Sequence, residues 1–133
     1  MDDRWHNAAM DDALARVRAF CDAWAAFDLD ELVGFFTEDA VYHNIPVDPV
    51  AGREQIREFI TGFTSGVEKI EFEVRHAVAA GDVVMTERVD HFTYPDGRAV
   101  SLPVMGVFEL REGQIAAWRD YFDLNQFMSQ LAG

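Results

Sequence analysis

Two hydrophobic periods divide the chain. Through the first half, apolar residues recur at three- and four-residue spacing, and from Val67 onward they alternate with polar ones. Leu14, Val17, Cys21 and Trp24, flanked by Phe20 and Phe27, make the apolar stripe of an amphipathic helix. It is expected to start near Asp11 and to run for about 18 residues. Asp28 followed by Glu31 has the form of a capping box and predicts a short helix through Leu32, Val33 and Phe36. Ala40 to Asn44 reads as a short strand, and Pro46 and Pro49 mark a loop. A third helix is expected from Gly52, burying Ile56, Phe59, Ile60 and Phe63.

Beyond Val67, Ile70, Phe72, Val74 and Val78 alternate with Glu71, Glu73 and Arg75, so the spacing predicts a strand with one buried and one wet face. Further strands are expected at about 83–94, 98–110 and 114–124. The turns Tyr94-Pro95-Asp96-Gly97-Arg98 and Leu110-Arg111-Glu112-Gly113-Gln114 both fit three-residue hairpin loops with glycine in the left-handed third position. Helices first and strands afterwards predict an α+β domain.

Those two turns fix a register. Tyr94 pairs with Arg98, which sets Arg88 opposite Val104 and Asp90 opposite Leu102. Leu110 pairs with Gln114, which sets Val104 opposite Asp120 and Leu102 opposite Phe122. All share one face because the side-chain period of a strand is two. The same face carries Val84, Phe92, Phe108 and Trp118, so it is the inner face. Arg88, Asp90 and Asp120 therefore stand in the middle of an apolar surface. The arginine and Asp120 are two strand spacings apart, about 10 Å between backbones, which extended side chains can close. Charge in such a place is costly unless paired. Two readings satisfy that cost. One is a structural ion-pair network across three strands. The other is a catalytic pair, in which one carboxyl stays protonated as an acid and the other, held ionised by Arg88, serves as a base. Tyr42 and Asn44 project to the same side of their strand, with His43 on the other. Either they hold a water in the cavity, or they are a tyrosine tip at the surface and an asparagine ending the strand before Pro46.

Composition narrows the field. The chain has 133 residues, read as one domain over 1–133, and half of them are hydrophobic. Eleven Lys and Arg against 24 Asp and Glu leave a net charge of −13, which argues against a nucleic-acid or membrane-surface partner. The clean apolar run near Leu102–Phe108 falls far short of the roughly 20 residues needed to span a bilayer, and no targeting segment is visible, so a cytoplasmic location is expected. The single Cys21 lies in a core stripe. No Gly-x-Ser-x-Gly elbow, phosphate-binding glycine loop or dinucleotide fingerprint is present. His6, His43, His76 and His91 lack metal-ligand spacing, so neither metal nor cofactor is expected.

Three segments, Val41-Tyr42-His43-Asn44-Ile45-Pro46, Thr86-Glu87-Arg88-Val89-Asp90 and Trp118-Arg119-Asp120-Tyr121-Phe122-Asp123-Leu124, supported by Gly106-Val107-Phe108, resemble the limonene-1,2-epoxide hydrolase family. The resemblance covers nearly the whole chain. It implies an NTF2-like (cystatin-like) α+β cone, with N-terminal helices packed on a strongly curved mixed β-sheet. It implies that Asp120 is the general base, that Tyr42 and Asn44 hold the attacking water with it, that Asp90 protonates the epoxide oxygen, and that Arg88 bridges the carboxylates. Members of that family open the ring in one step, without a covalent intermediate, metal or cofactor, and are usually homodimers. The expected partners are thus a small apolar epoxide, water and a second copy of the chain. Competing expectations are an isomerase, dehydratase or polyketide cyclase on the same fold, or a non-catalytic ligand-binding module.

Overall fold

A computed structural model of the protein describes residues 8–133, with side chains from residue 11 onward. His6 lies outside the described residues. The elements follow the order α1 (Ala8–Ala23), α2 (Leu29–Gly34), β1 (Phe36–Asn44), β2 (Val50–Ala51), α3 (Gly52–Thr64), β3 (Lys69–Ala80), β4 (Val83–Thr93), β5 (Ala99–Arg111), β6 (Gln114–Tyr121) and α4 (Leu124–Ala132). The six strands form one mixed, curled sheet in the order β2-β1-β6-β5-β4-β3. Strands β1 and β6 run parallel, and every other pair is antiparallel. The α+β expectation holds.

Helix α1 begins three residues earlier than the periodicity predicts and stops at Ala23, short of the expected end; it lays Val17, Phe20 and Cys21, with Trp24 in the turn that follows, against the inner face of the sheet. Phe20 is the hub. Its ring meets Trp24, Phe35, Phe36, Phe108 and Trp118 edge-on at centroid distances of 5.0–6.1 Å, the geometry that aromatic quadrupoles favour. Asp28 caps α2 by accepting the Glu31 N–H at 3.2 Å. Phe36, expected in that helix, is instead the first residue of β1 and is fully buried. In α3, Ile56 and Ile60 enter the core, while Phe59 and Phe63 stay half-buried.

The first hairpin is as predicted. The Tyr94 N–H donates to the Arg98 carbonyl at 2.9 Å, and Gly97 has φ of +91°. Arg88 pairs with Val104, and Asp90 with Leu102.

The second hairpin is tighter than expected. Arg111, not Leu110, pairs with Gln114, so only Glu112 and Gly113 turn the chain. Their φ values of +52° and +78° are those of a two-residue type I′ turn. A one-residue change of register would turn all of β6 over. It does not, because the ladder passes from Leu110↔Ile115 to Glu109↔Ala117, leaving Ala116 as a bulge. The two displacements add to an even number, and Asp120 still faces inward, now opposite Gly106 rather than Val104. The expected Leu102–Phe122 pair does not form, because the shifted register would put position 122 opposite Val104 and β6 ends at Tyr121.

A second bulge, at Arg75, has the opposite consequence. It separates Val74↔Arg88 from His76↔Glu87 and reverses the alternation along the rest of β3. Val78, expected inside, comes opposite Met85 on the outer face and is 63% exposed.

After β6, Asp123 caps α4 by accepting the Asn125 and Gln126 N–H groups. The Gln130 amide grips the backbone of Ser101, accepting its N–H at 2.8 Å and donating to its carbonyl at 3.0 Å. This side chain ties α4 to β5 where β6 has run out.

Candidate active site

Strand β4 supplies Arg88 and Asp90, and β6 supplies Asp120, all on the inner face and 1–4% exposed. All five guanidinium N–H groups are used. Nε and Nη2 of Arg88 donate side-on to Asp90 at 3.0 and 2.9 Å. Nη1 and Nη2 donate end-on to Asp120 at 3.1 and 2.7 Å, and Nη1 also reaches Thr86 Oγ1 at 3.2 Å. Such bidentate forks are the strong form of the ion pair.

The intervening strand must not obstruct that reach. Gly106 of β5 pairs with Thr86 on one side and Asp120 on the other. A Cβ there would fall 2.8 Å from Asp120 Oδ1 and 2.9 Å from Thr86 Oγ1, and against Nη1 of Arg88. The glycine is the gap through which arginine crosses to β6. The ring of Phe72 lies 4.9 Å from the guanidinium carbon.

The parallel pairing of β1 with β6 puts Tyr42 beside Trp118 and Asn44 beside Asp120. The Tyr42 hydroxyl donates to Asn44 Oδ1 at 3.4 Å. All five residues singled out from the sequence thus converge, and Tyr42, Asn44, Asp90 and Asp120 line one cavity of about 160 Å³. Its wall is apolar, from Phe59 and Phe63 of α3, Phe72 of β3, Phe92 of β4, Leu102 and Val104 of β5, and Phe122, Leu124 and Phe127 at the α4 end. Val47 and Leu124, each more than a third exposed, stand at the opening, and the carboxylates lie at the buried end.

Burial and the neighbouring charges shift the ionisation of these groups. Burial raises Asp90 above the usual aspartate range, against the opposing pull of Arg88. Burial alone would weaken the charge on Arg88, but the carboxylates of Asp120 and Asp90 outweigh it and hold the guanidinium cationic. Tyr42 is raised well above the ordinary phenol value, chiefly by burial and then by Asp120, so it stays a hydroxyl. Cys21, behind the row, is pushed up to about 12 by burial and stays a thiol. The arrangement sets two carboxyl groups and two polar groups able to hydrogen-bond a water against one apolar cavity.

Three residues of the site were not legible in their sequence context. Trp118, placed by the alternation on the inner face beside Asp120, does not line the cavity. It is fully buried and donates from Nε1 to Asp120 Oδ1 at 2.6 Å. Phe59 and Phe63, read as core, are cavity wall. The i, i+4 spacing gave their helix face but not what that face meets.

The SnoaL-like domain model matches residues 17–118, and the chain belongs to that family. The chain is 33% identical over 120 residues to epoxide hydrolase EphG of Mycobacterium tuberculosis (strain ATCC 25618 / H37Rv), a match covering 88% of this chain and 78% of that protein. It superposes with a TM-score of 0.81 on the structure of an M. tuberculosis LEH-like epoxide hydrolase, at 29% identity and covering 92% and 91% of the two chains. A protein from Jannaschia sp. CCS1 assigned to the SnoaL-like polyketide cyclases superposes with a TM-score of 0.84 over 96% of both chains, but at 22% identity it shares the fold alone.

Proposed function

We propose that the protein is an epoxide hydrolase that adds water to a small apolar epoxide, terpene- or cycloalkene-like, and releases a vicinal diol. The observation that carries this reading is the Asp90–Arg88–Asp120 row, with both carboxyl groups facing one apolar cavity. The named relatives support it.

Asp120 takes a proton from a water held by Tyr42 and Asn44 while the water oxygen attacks an epoxide carbon. The carbon–oxygen bond breaks, and Asp90 delivers its proton to the departing oxygen. Ring strain supplies driving force, and the guanidinium holds both carboxyl groups in place through the exchange. Asp90 ends ionised and Asp120 protonated, so the site resets when that proton returns to Asp90. Among the described residues the wall carries no cationic side chain, which disfavours an anionic substrate. A buried Asp–Arg–Asp row is more than an isomerase, dehydratase or cyclase needs, and those readings leave Asp90 dispensable. The outer face of the sheet exposes Val78, Met85, Met105 and Tyr121, a surface suited to a homodimer.

Incubation with terpene, cycloalkene and styrene epoxides should yield diols, and Asp90→Asn and Asp120→Asn should abolish the yield while remaining folded. Single turnover in oxygen-labelled water should put label in the first diol formed. Wild-type turnover by both variants would overturn the assignment.

A further inference from the structure

Trp118 is fully buried and lies between two parallel rings, Tyr42 at 4.1 Å and 5° on one face and Phe108 at 5.4 Å and 16° on the other. Phe20 closes its edge at 5.0 Å and 89°. Packing alone explains such a side chain, but it does not explain where its N–H goes. The other described tryptophan, Trp24, is equally buried, and its Nε1 has no partner among the described residues. Burial of an indole in this core therefore does not demand a partner. Trp118 nonetheless places its N–H 2.6 Å from Asp120 Oδ1.

The consequence lies in counting donors. Oδ1 of Asp120 accepts from Trp118 Nε1 and from Arg88 Nη1, whereas Oδ2 accepts from Arg88 Nη2. A carboxylate oxygen has two in-plane lone pairs. Oδ1 is therefore saturated, and Oδ2 keeps one free. The same indole carries the Tyr42 ring on its face, so it fixes both the base and the phenol that would hold the water with it.

We propose that Trp118 is the positioning residue of the water clamp, and that its N–H directs proton transfer to Oδ2 of Asp120. This rests on the epoxide hydrolase reading. The indole touches no substrate, so its loss should act on kcat and leave KM alone.

The decisive substitution puts β-(3-benzothienyl)alanine at position 118, which keeps the bicyclic shape and the stacking but has no N–H. With styrene oxide as substrate, kcat should fall roughly tenfold to a hundredfold, the worth of one hydrogen bond to a charged group, while KM stays within about twofold. Wild-type kcat in that variant would overturn the proposal. A readout free of turnover is the indole N–H resonance in a ¹⁵N correlation spectrum, with Trp118 assigned by Trp118→Phe and Trp24 by Trp24→Phe. Asp120→Asn should shift the Trp118 resonance and spare that of Trp24. An unmoved Trp118 resonance would refute the hydrogen bond, even if the isostere-bearing protein fails to fold. Failure of the wild type to open any epoxide would remove the function itself, while the spectrum would still report the pairing.

Discussion

The two faces of β3, β4 and β5 carry the same kinds of residues and do different things with them. On the outer face, Glu73, His91 and Ser101 form a row. His91 Nε2 meets Glu73 Oε1 at 2.9 Å, and Nδ1 meets Ser101 Oγ at 2.8 Å. On the inner face, one residue along β4, Asp90 and Arg88 begin the row that ends at Asp120. The hydrogen-bond lengths are alike. What differs is solvent. The Glu73 and His91 side chains are 44% and 32% exposed, against 6% and 0% for Asp90 and Arg88. Exposed pairs are screened and contribute little. Buried ones cannot be relieved by water, so each proton and each lone pair must be accounted for inside the protein. Burial pushes one carboxyl of the row, that of Asp90, toward its protonated form, which the exposed row does not do to Glu73.

The sharpest way to break the contrast is to remove the proposed acid or the proposed base. Asp90→Asn and Asp120→Asn should each lower epoxide turnover by about 10²–10⁴-fold, measured as diol formation. Replacing the bridge should cost the fold as well. Arg88→Met leaves two carboxyl groups facing each other in a desolvated site, and chemical denaturation should show a loss of about 3–5 kcal/mol. Closing the gap in β5 comes next. Gly106→Ala drives a methyl group into Asp120, Thr86 and Arg88, and should destabilise by about 1–3 kcal/mol and reduce kcat.

The pH dependence of stability separates the faces by sign. Asp90 is raised by burial, so the native state holds a proton that the unfolded chain releases. Its contribution is complete below the ordinary aspartate value of 3.8 and is lost as pH rises through its folded value. Glu73 is lowered, chiefly by its hydrogen bond to His91, so its contribution is present above the ordinary glutamate value of 4.5 and is lost as pH falls through its folded value. Tm against pH should therefore fall less steeply above pH 3.8 in Asp90→Asn than in wild type, and less steeply on the acid side in Glu73→Gln. The smallest effect belongs to the outer face, where Ser101→Ala should leave turnover unchanged and stability within about 0.5 kcal/mol.

Alternation and turn chemistry made much of this readable in the chain. Glycine at position 97 gave the first hairpin and the correct partners for Arg88 and Asp90, because a three-residue turn with a left-handed third residue admits one register. The same logic misjudged the second hairpin, and the right face for Asp120 came from a bulge that no local signal marks. The bulge at Arg75 shows the other outcome, where an unsignalled extra residue sent Val78 to the surface. Bulges are set by how the curved sheet fits the helices beneath it, which neighbours in sequence do not report. Trp118 and Gly106 were visible as residues, but their roles depend on atoms from strands far away in the chain.

The sequence by itself determined the α+β order and the inner face of the strands, and it put the charged row on that face. These follow from periods of 3.6 and 2 and from the cost of misplacing apolar surface. The tertiary structure alone decided that Asp120 meets Gly106, that Arg88 spends all five donors, and that one oxygen of Asp120 is filled by an indole. Hydrogen-bond counts at a buried carboxylate depend on which side chains arrive from other strands, and only the folded sheet brings them within 3 Å of each other.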